Sequence, residues 1–321
     1  MDQLISILDN CLLQGAGYGI AVIGVAFAFR IIKYPDLTPD GSFLMGAVVF
    51  SSLVSAGQPW VFSALVAVLA GACAGAVTAL MHVRIGVNRL LSGILTSMMC
   101  YSIAFWVLSG KPNLNISDLP SMFSWAQMVD KGAKWSEMGF HLGTIGVSLV
   151  IALAVVAALY VLLTSDFGIV IRAIGENESL IEEFGRVPGR YHLIGLSIAN
   201  GLTALAGCLI SARQGFADVN MGFGVIITLV AALVIGEESI RLMGLNPALK
   251  LSGRVLSGLV GAFVYFLLYL MILRASILGY LPVRIQPTDL KLLSAVIVII
   301  FIAIRFYSRE ASAKQEEVLP L

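Results

Sequence analysis

The residues best placed to do chemistry in this 321-residue chain are acidic, and they cluster in "IIKYPDLTPDGSFLMG" at 31–46. Asp36, Thr38 and Asp40 alternate there with Pro35 and Pro39, and Gly41 follows before an apolar run. Neighbouring carboxylates can transfer protons, hold a cation or cap a helix. The aspartyl chemistry of an intramembrane protease would need a second aspartate in a Gly-x-Gly-Asp setting, and the sequence has none in the matching place. No Ser/His pairing is suggested, so no catalytic residue is expected. A metal site is not expected either: Cys11, Cys73, Cys100 and Cys208 are isolated in or beside apolar runs, without ligand spacing. His82, His141 and His192 stand equally apart. Capping suits the stretch better. Proline removes a backbone donor and breaks a helix, and Asp36, Thr38 and Asp40 can cap a half-helix that starts near Gly41.

The pattern recurs. "ADVNMGFGVIITLVA" (217–231) follows the order of "PDLTPDGSFLMGAVV" (35–49): Pro or a small residue, Asp, an aliphatic, Thr or Asn, Gly, then an apolar run. Asp218 or Asn220 can cap a second half-helix near Gly222. A break of this kind survives in lipid only where protein buries it or where it lines a water-filled cavity.

Such breaks matter because of what surrounds them. The chain is 59% hydrophobic and 12% charged, against about 25% charged in a soluble domain. Its net charge of +1 gives no reason to expect nucleic acid. Apolar windows predict an all-α polytopic membrane protein with about nine spans, near 11–32, 42–58, 60–82, 89–109, 143–164, 192–211, 221–236, 252–273 and 290–306. Five spans separate the two breaks, so the copies run in opposite directions, as inverted-topology repeats with broken helices do. Repeat one covers 11–109 and repeat two 192–306. An outer loop, a bridging span and a charged segment fill 110–191, and 307–321 is a tail. With the N-terminus outside and the C-terminus inside, 13 of the 20 Lys and Arg fall on the cytoplasmic side and 7 outside. Trp60, Trp106, Trp125 and Trp135 then lie at or beyond the outer boundary.

The segment "DFGIVIRAIGENESLIEEFGRVPGRYHLIGLSIANGLTALAG" (166–207) joins two spans on that cytoplasmic side and is rich in charge. It reads as a short helix, Gly185, a turn with Pro188 and Gly189, and a new membrane helix. The pattern Arg172-Ala173-x-Gly175-x-Asn177, followed by Gly185, resembles the coupling segment of ABC importer permeases of the branched-chain amino acid and ribose type. "PDLTPDGSFLMGA" and "QGFADVNMGFG…AALVIGE" are similar to two further landmarks, most closely in a subgroup of tryptophan/tyrosine-type or uncharacterised permeases. The resemblance runs from about residue 15 to 306. Where relatives often have Ala after the Asn, this chain has Ile181, Glu182 and Glu183 and then Arg186-Val187-Pro188, which implies docking contacts of its own.

The resemblance implies a type II importer-like permease: two such subunits (a homodimer), two cytoplasmic ABC ATPases and an extracytoplasmic substrate-binding protein, in a prokaryotic inner membrane among its lipids. Coupling would fall to Arg172, Gly175, Glu176, Asn177, Glu182, Glu183 and Gly185, with Gly175 allowing close approach to the ATPase or a tight turn. No cofactor is expected on this chain. It lacks a G-x-x-x-x-G-K-[ST] phosphate loop, so ATP and Mg would belong to the partner ATPase. Gly15, Gly19, Gly71 and Gly75 sit at four-residue spacing, which suits packing within the chain or a dimer seam. Gln14, Asn200, Gln214 and Asn220 are the polar residues expected to face a pathway for an amino acid, a nucleoside or another small polar solute. A secondary transporter or channel is the alternative, since inverted repeats and broken helices serve those too. It would need intramembrane ionisable groups for ion coupling, and the candidates are Asp36, Asp40 and Asp218.

Overall fold

The computed structural model describes residues 2–131, 141–243 and 251–277, with isolated positions between 289 and 299. The apolar runs fold as helices and the Pro- and Gly-rich stretches interrupt them. The order is α1 (Asp2–Ala26), continued by a π-helical turn (Phe27–Ile32), then α2 (Pro39–Ser55), α3 (Trp60–Ile85) and α4 (Arg89–Val107). Strand β1 (Asn113–Asn115) and α5 (Ser124–Lys131) lead to α6 (Leu142–Thr164), α7 (Asp166–Glu176) and α8 (Glu178–Glu183). Next come α9 (Pro188–Gln214), β2 (Phe216–Asp218), a 3-10 turn (Val219–Gly222), α10 (Val225–Leu242) and α11 (Leu251–Ile277).

Among the described residues, seven helices are long and apolar enough to cross a membrane, α2 not among them. Expected spans near 11–32, 60–82, 89–109, 143–164, 192–211, 221–236 and 252–273 each fall on one of the seven. The span expected at 42–58 is instead the 17-residue α2, short of the ~20 residues a crossing needs. The ninth span at 290–306 and the tail at 307–321 lie outside the described residues.

Helix α1 is central: its most apolar stretch is 83% buried, whereas that of α6 is 22% buried and faces outward. α1 and α9 cross antiparallel, with Gly17 against Ile210 and Gly24 against Ala199. α11 lies antiparallel along α1, and α3 antiparallel along α9. α2 packs on α3, and α10 on α11. Exchanging the two halves therefore maps each of these contacts onto another. Gly15 and Gly19 meet Phe263 and Leu259, and Gly71 and Gly75 meet Ala204 and Leu196. The small-residue spacing is packing within the chain. Large fully buried side chains (Phe27, Tyr34, Phe43, Phe50, Tyr265, Phe266) fill the centre.

A two-stranded ribbon departs from the all-helical expectation. β1 pairs antiparallel with β2, Leu114 opposite Ala217. Around it, Ile116 N–H donates to Gly215 O at 2.7 Å and Val219 N–H to Pro112 O at 3.0 Å. The reason is backbone satisfaction: the extended chain between α9 and α10 has no helical partners, and an unpaired buried peptide group is costly.

α2 and α9 run parallel in close contact. A Cβ on Gly207 would overlap the Phe43 carbonyl oxygen, and one on Gly46 the Ala204 backbone. Gly207→Val should therefore destabilise the chain by about 1–3 kcal/mol, the usual cost of overpacking. A lower thermal unfolding midpoint in detergent than for Gly201→Val, where the nearest atoms are 3.6 Å away, checks this.

Candidate functional site

The first break follows the π-helical turn. Lys33 ends that turn with φ 56° and is the first of six non-helical residues, 33–38, that lead to α2. Asp36 and Thr38 in it are fully buried. Asp36 Oδ1 accepts the Thr38 N–H at 2.8 Å and the Thr38 hydroxyl. Asp36 Oδ2 accepts from Asn200 Nδ2 at 2.7 Å, and Asn200 Oδ1 accepts from Ser42 Oγ at 2.7 Å. Thr38 Oγ1 lies 2.7 Å from Thr78 Oγ1. With the Thr38 proton on Asp36, Thr78 is the donor. Asn200 lies midway along α9, so α2 begins well inside the bundle. Its short length follows.

The expected capping is corrected here. Thr38 occupies the N-cap of α2 in helical geometry and makes no side-chain cap bond. Asp36 closes a local turn onto Thr38 and joins α9. Asp40 caps a different helix: its carboxylate accepts Gly224 N–H at 3.0 Å and Ile226 N–H at 2.7 Å, at the start of α10. Asp218 does cap locally, accepting Asn220 N–H at 2.7 Å at the 3-10 turn. The two breaks touch directly, since a Cβ on Gly222 would overlap the Asp40 carbonyl oxygen. Gly41 packs on α4, next to Ser97 and Cys100. Asn200, expected to face a pathway, is fully buried and spans between Asp36 and Ser42.

Beside this meeting point lies a pocket of about 420 Å³, with Asp40, Ser97 and Tyr101 among its walls. Removing Asn200 should expose the cost of the polar cluster. Asn200→Ala leaves the buried Asp36 Oδ2 without its Asn200 donor, at about 1–3 kcal/mol for an unpaired group, while Ser42 Oγ keeps the Thr38 and Pro39 carbonyl oxygens. The unfolding midpoint should fall more for Asn200→Ala than for Ser211→Ala on the same helix.

The charged segment folds as α7 and α8, and its residues divide in two. Gly175 is seated inside the chain, where a Cβ would overlap the Ile31 carbonyl oxygen. That corrects the expectation of close approach to an external ATPase or of a tight turn: the glycine lets α7 lie on the π-helical turn. Glu176 pairs with Lys33 at 2.6 Å, and Arg172 Nε donates to Gly168 O at 3.3 Å. Asn177 ends α7 in extended geometry. Glu182, Glu183 and Gly185 are exposed, and Gly185 turns the chain with φ 72°.

Sequence reasoning missed the residue that anchors this segment. Glu178, the first residue of α8, accepts from Arg89 Nη2 at 2.7 Å and from His192 Nε2 at 3.0 Å. Arg89 stands 5.4 Å over the Tyr34 ring, and Tyr34 Oη lies 3.1 Å from Ser92 Oγ. One cluster thus ties α8 to the starts of α4 and α9 and to the first break. No motif marks it, because its members lie 34 to 192 residues along the chain and each alone reads as an ordinary span-end residue. Partial burial works against ionisation of Glu178, but the hydrogen bonds and charges of His192 and Arg89 outweigh it and hold the carboxyl below its usual value. A depressed carboxyl contributes stability above its unfolded value and loses it as pH falls through the folded one. A spin label at Glu183→Cys should keep its mobility from neutral pH down through the ordinary glutamate range and loosen only below that. With Glu178→Ala it should be loose throughout.

Over 308 residues the chain is 32% identical to a tyrosine transport system permease protein of Clostridioides difficile, covering 94% of this chain and 91% of that one. It is 31% identical to an uncharacterized protein of Rickettsia prowazekii, over 97% of this chain and 99% of the other. A ribose import permease protein of Haemophilus influenzae is 24% identical over 79% of this chain and 73% of its own. No solved structure matches. The family described as the permease component of the branched-chain amino acid transport system matches residues 7–304. Two touching helix breaks in a largely helical bundle are thus carried by a chain that belongs to that family of transport permeases.

Proposed function

We propose that this chain is the membrane-spanning subunit of an ATP-binding-cassette importer and forms the pathway for a small polar solute, an amino acid or a close analogue. The observation that carries the reading is the meeting of two half-helix starts, α2 and α10, at the Asp40 carboxylate inside the bundle. Transporters place discontinuous helices in this way, N-termini inward, at the interface of inverted repeats. The exchange of contacts between the halves supports repeats at 11–109 and 192–306. The name of the 32% identical relative, a tyrosine transport permease, favours an amino-acid-like solute.

The partners follow from the same reading. An extracytoplasmic binding protein would deliver the solute, docking on the side of the ribbon and of the 111–141 loop. A second copy would complete the pathway. The chain would sit in a prokaryotic inner membrane, N-terminus outside and C-terminus inside. A cytoplasmic ATPase, holding ATP and Mg, would dock on α8. There Glu182, Glu183 and Phe184 are exposed beside a groove of about 400 Å³ that includes Phe167, Val187 and Tyr191. Motion of α8 would reach the first break through Glu178, Arg89 and Tyr34.

Two variants separate the parts in a reconstituted importer. Asp40→Ala removes the cap of α10, worth about 1 kcal/mol or more; uptake should fall several-fold while the ATPase still co-purifies. Glu182→Lys with Glu183→Lys should leave the chain inserted and folded but abolish ATPase co-purification, or keep it while hydrolysis no longer responds to loaded binding protein. Normal stimulated hydrolysis and uptake in both variants would sink the reading.

A further inference from the structure

The groove between α7 and the start of α9 has a chemistry distinct from the acidic face of α8. Part of its wall is aromatic: the Phe167 and Tyr191 rings stack with centroids 5.7 Å apart. Part is basic. Arg186 and Arg190 both line the groove and both are exposed. Arg186 Nη1 donates to the Tyr191 hydroxyl at 2.8 Å, which brings that guanidinium to the aromatic wall. Among the described residues no carboxylate pairs with either arginine, whereas Arg30, Lys33, Arg89 and Arg241 each have one.

This charge pattern selects a ligand class. Two guanidiniums without carboxylates call for an anion, and the planar fork of arginine matches phosphate oxygens in particular. No acidic residue is among the described residues that line the groove. Glu182 and Glu183 are exposed on α8, outside its wall. A headgroup amine would find no carboxylate here, so a phosphate with no amine attached fits better than a zwitterion. The groove measures about 400 Å³, within the range of about 300–1,000 Å³ that small-ligand sites occupy and more than a bare phosphate ion fills.

The apolar part of the wall says what else the ligand carries. Ile194 lies one turn beyond Arg190 into the span and is exposed, as is Val187. α6, which ends shortly before Phe167, turns most of its surface outward. With the start of α9 on the cytoplasmic side, the groove opens where headgroups meet acyl chains, and that leaflet carries a negative surface charge. Arginines, then aromatic rings, then an aliphatic edge follow the order of a phospholipid from phosphate to chain. We infer that this groove holds one anionic phospholipid of the cytoplasmic leaflet, its phosphate between Arg186 and Arg190 and an acyl chain along Ile194. The inference goes beyond the permease reading and takes from it only the cytoplasmic placement of the start of α9.

The test uses the full-length chain in detergent micelles doped with equal amounts of phosphatidylglycerol and phosphatidylcholine, with retained lipid counted by native mass spectrometry. One phosphatidylglycerol should be kept per chain in preference to phosphatidylcholine. Arg186→Gln with Arg190→Gln should raise the concentration needed for half-retention about thirtyfold, the worth of two arginines at a charged membrane surface. Arg84→Gln with Arg241→Gln removes the same charge from the same side and should leave it unchanged. Because Arg186 also holds Tyr191, Arg190→Gln alone is the second variant, with an expected rise of about fivefold. Equal retention of phosphatidylcholine, or an unchanged requirement in both arginine variants, overturns the inference. So does displacement of the lipid by inorganic phosphate or glycerol 3-phosphate, which would make the groove a site for a free phosphate. Loss of ATPase co-purification in Arg190→Gln with lipid retention unchanged overturns it too, and gives the groove to the ATPase. ATP-driven uptake by the assembled wild-type importer is scored separately. Uptake without selective retention removes the lipid site and leaves the permease reading standing; selective retention without ATP-driven uptake supports the lipid site and counts against the permease reading alone.

Discussion

The Asp40 carboxylate accepts the Gly224 and Ile226 N–H groups at the start of α10, 184 and 186 residues away, and the rest of the architecture depends on that bridge. The first N–H groups of any helix lack intrahelical partners. At a surface, water supplies them; inside a membrane bundle, protein must. α10 can begin inside the bundle because α2 brings a carboxylate to its first turn. α2 in turn can begin inside because Asp36, Thr38, Asn200 and Thr78 satisfy one another around its entry. Each half-helix thus needs the other half of the chain.

The same constraint explains features that otherwise look unrelated. The ribbon of β1 and β2 pairs the extended backbone leading into α10. Asp130 in α5 plays for α6 the part that Asp40 plays for α10, accepting Gly143 N–H at 2.7 Å and Thr144 N–H at 3.0 Å. Caps in this protein come repeatedly from another element. That ties the helices' relative positions together, because moving one uncaps its neighbour.

At the other end of the bundle the charged segment of α7 and α8 is fastened by ion pairs. Glu176 holds Lys33, and Glu178 holds Arg89 and His192, while Arg30 holds Glu237 at 2.6 Å. Exposed pairs contribute little to stability. Their geometry matters more: Arg89 also covers Tyr34, two residues before Asp36. The contacts of α8 therefore end only a few residues from the buried polar cluster.

Sequence alone determined the lipid-facing class of the chain, most of its spans, the two breaks and the family resemblance, because these depend on composition, run length and proline, all of which are local. It also placed Asp36, Asp40 and Asp218 at the breaks. It misassigned the partner of Asp40, which caps α10 and not its own helix, and the surroundings of Asn200 and Gly175. It gave no sign of Glu178, whose meaning lies in Arg89 and His192. Those assignments belong to the tertiary structure. A capping rule read along the chain assumes the nearest carboxylate serves the nearest helix, whereas in a water-poor interior any carboxylate the packing brings within hydrogen-bond reach serves, however distant in sequence.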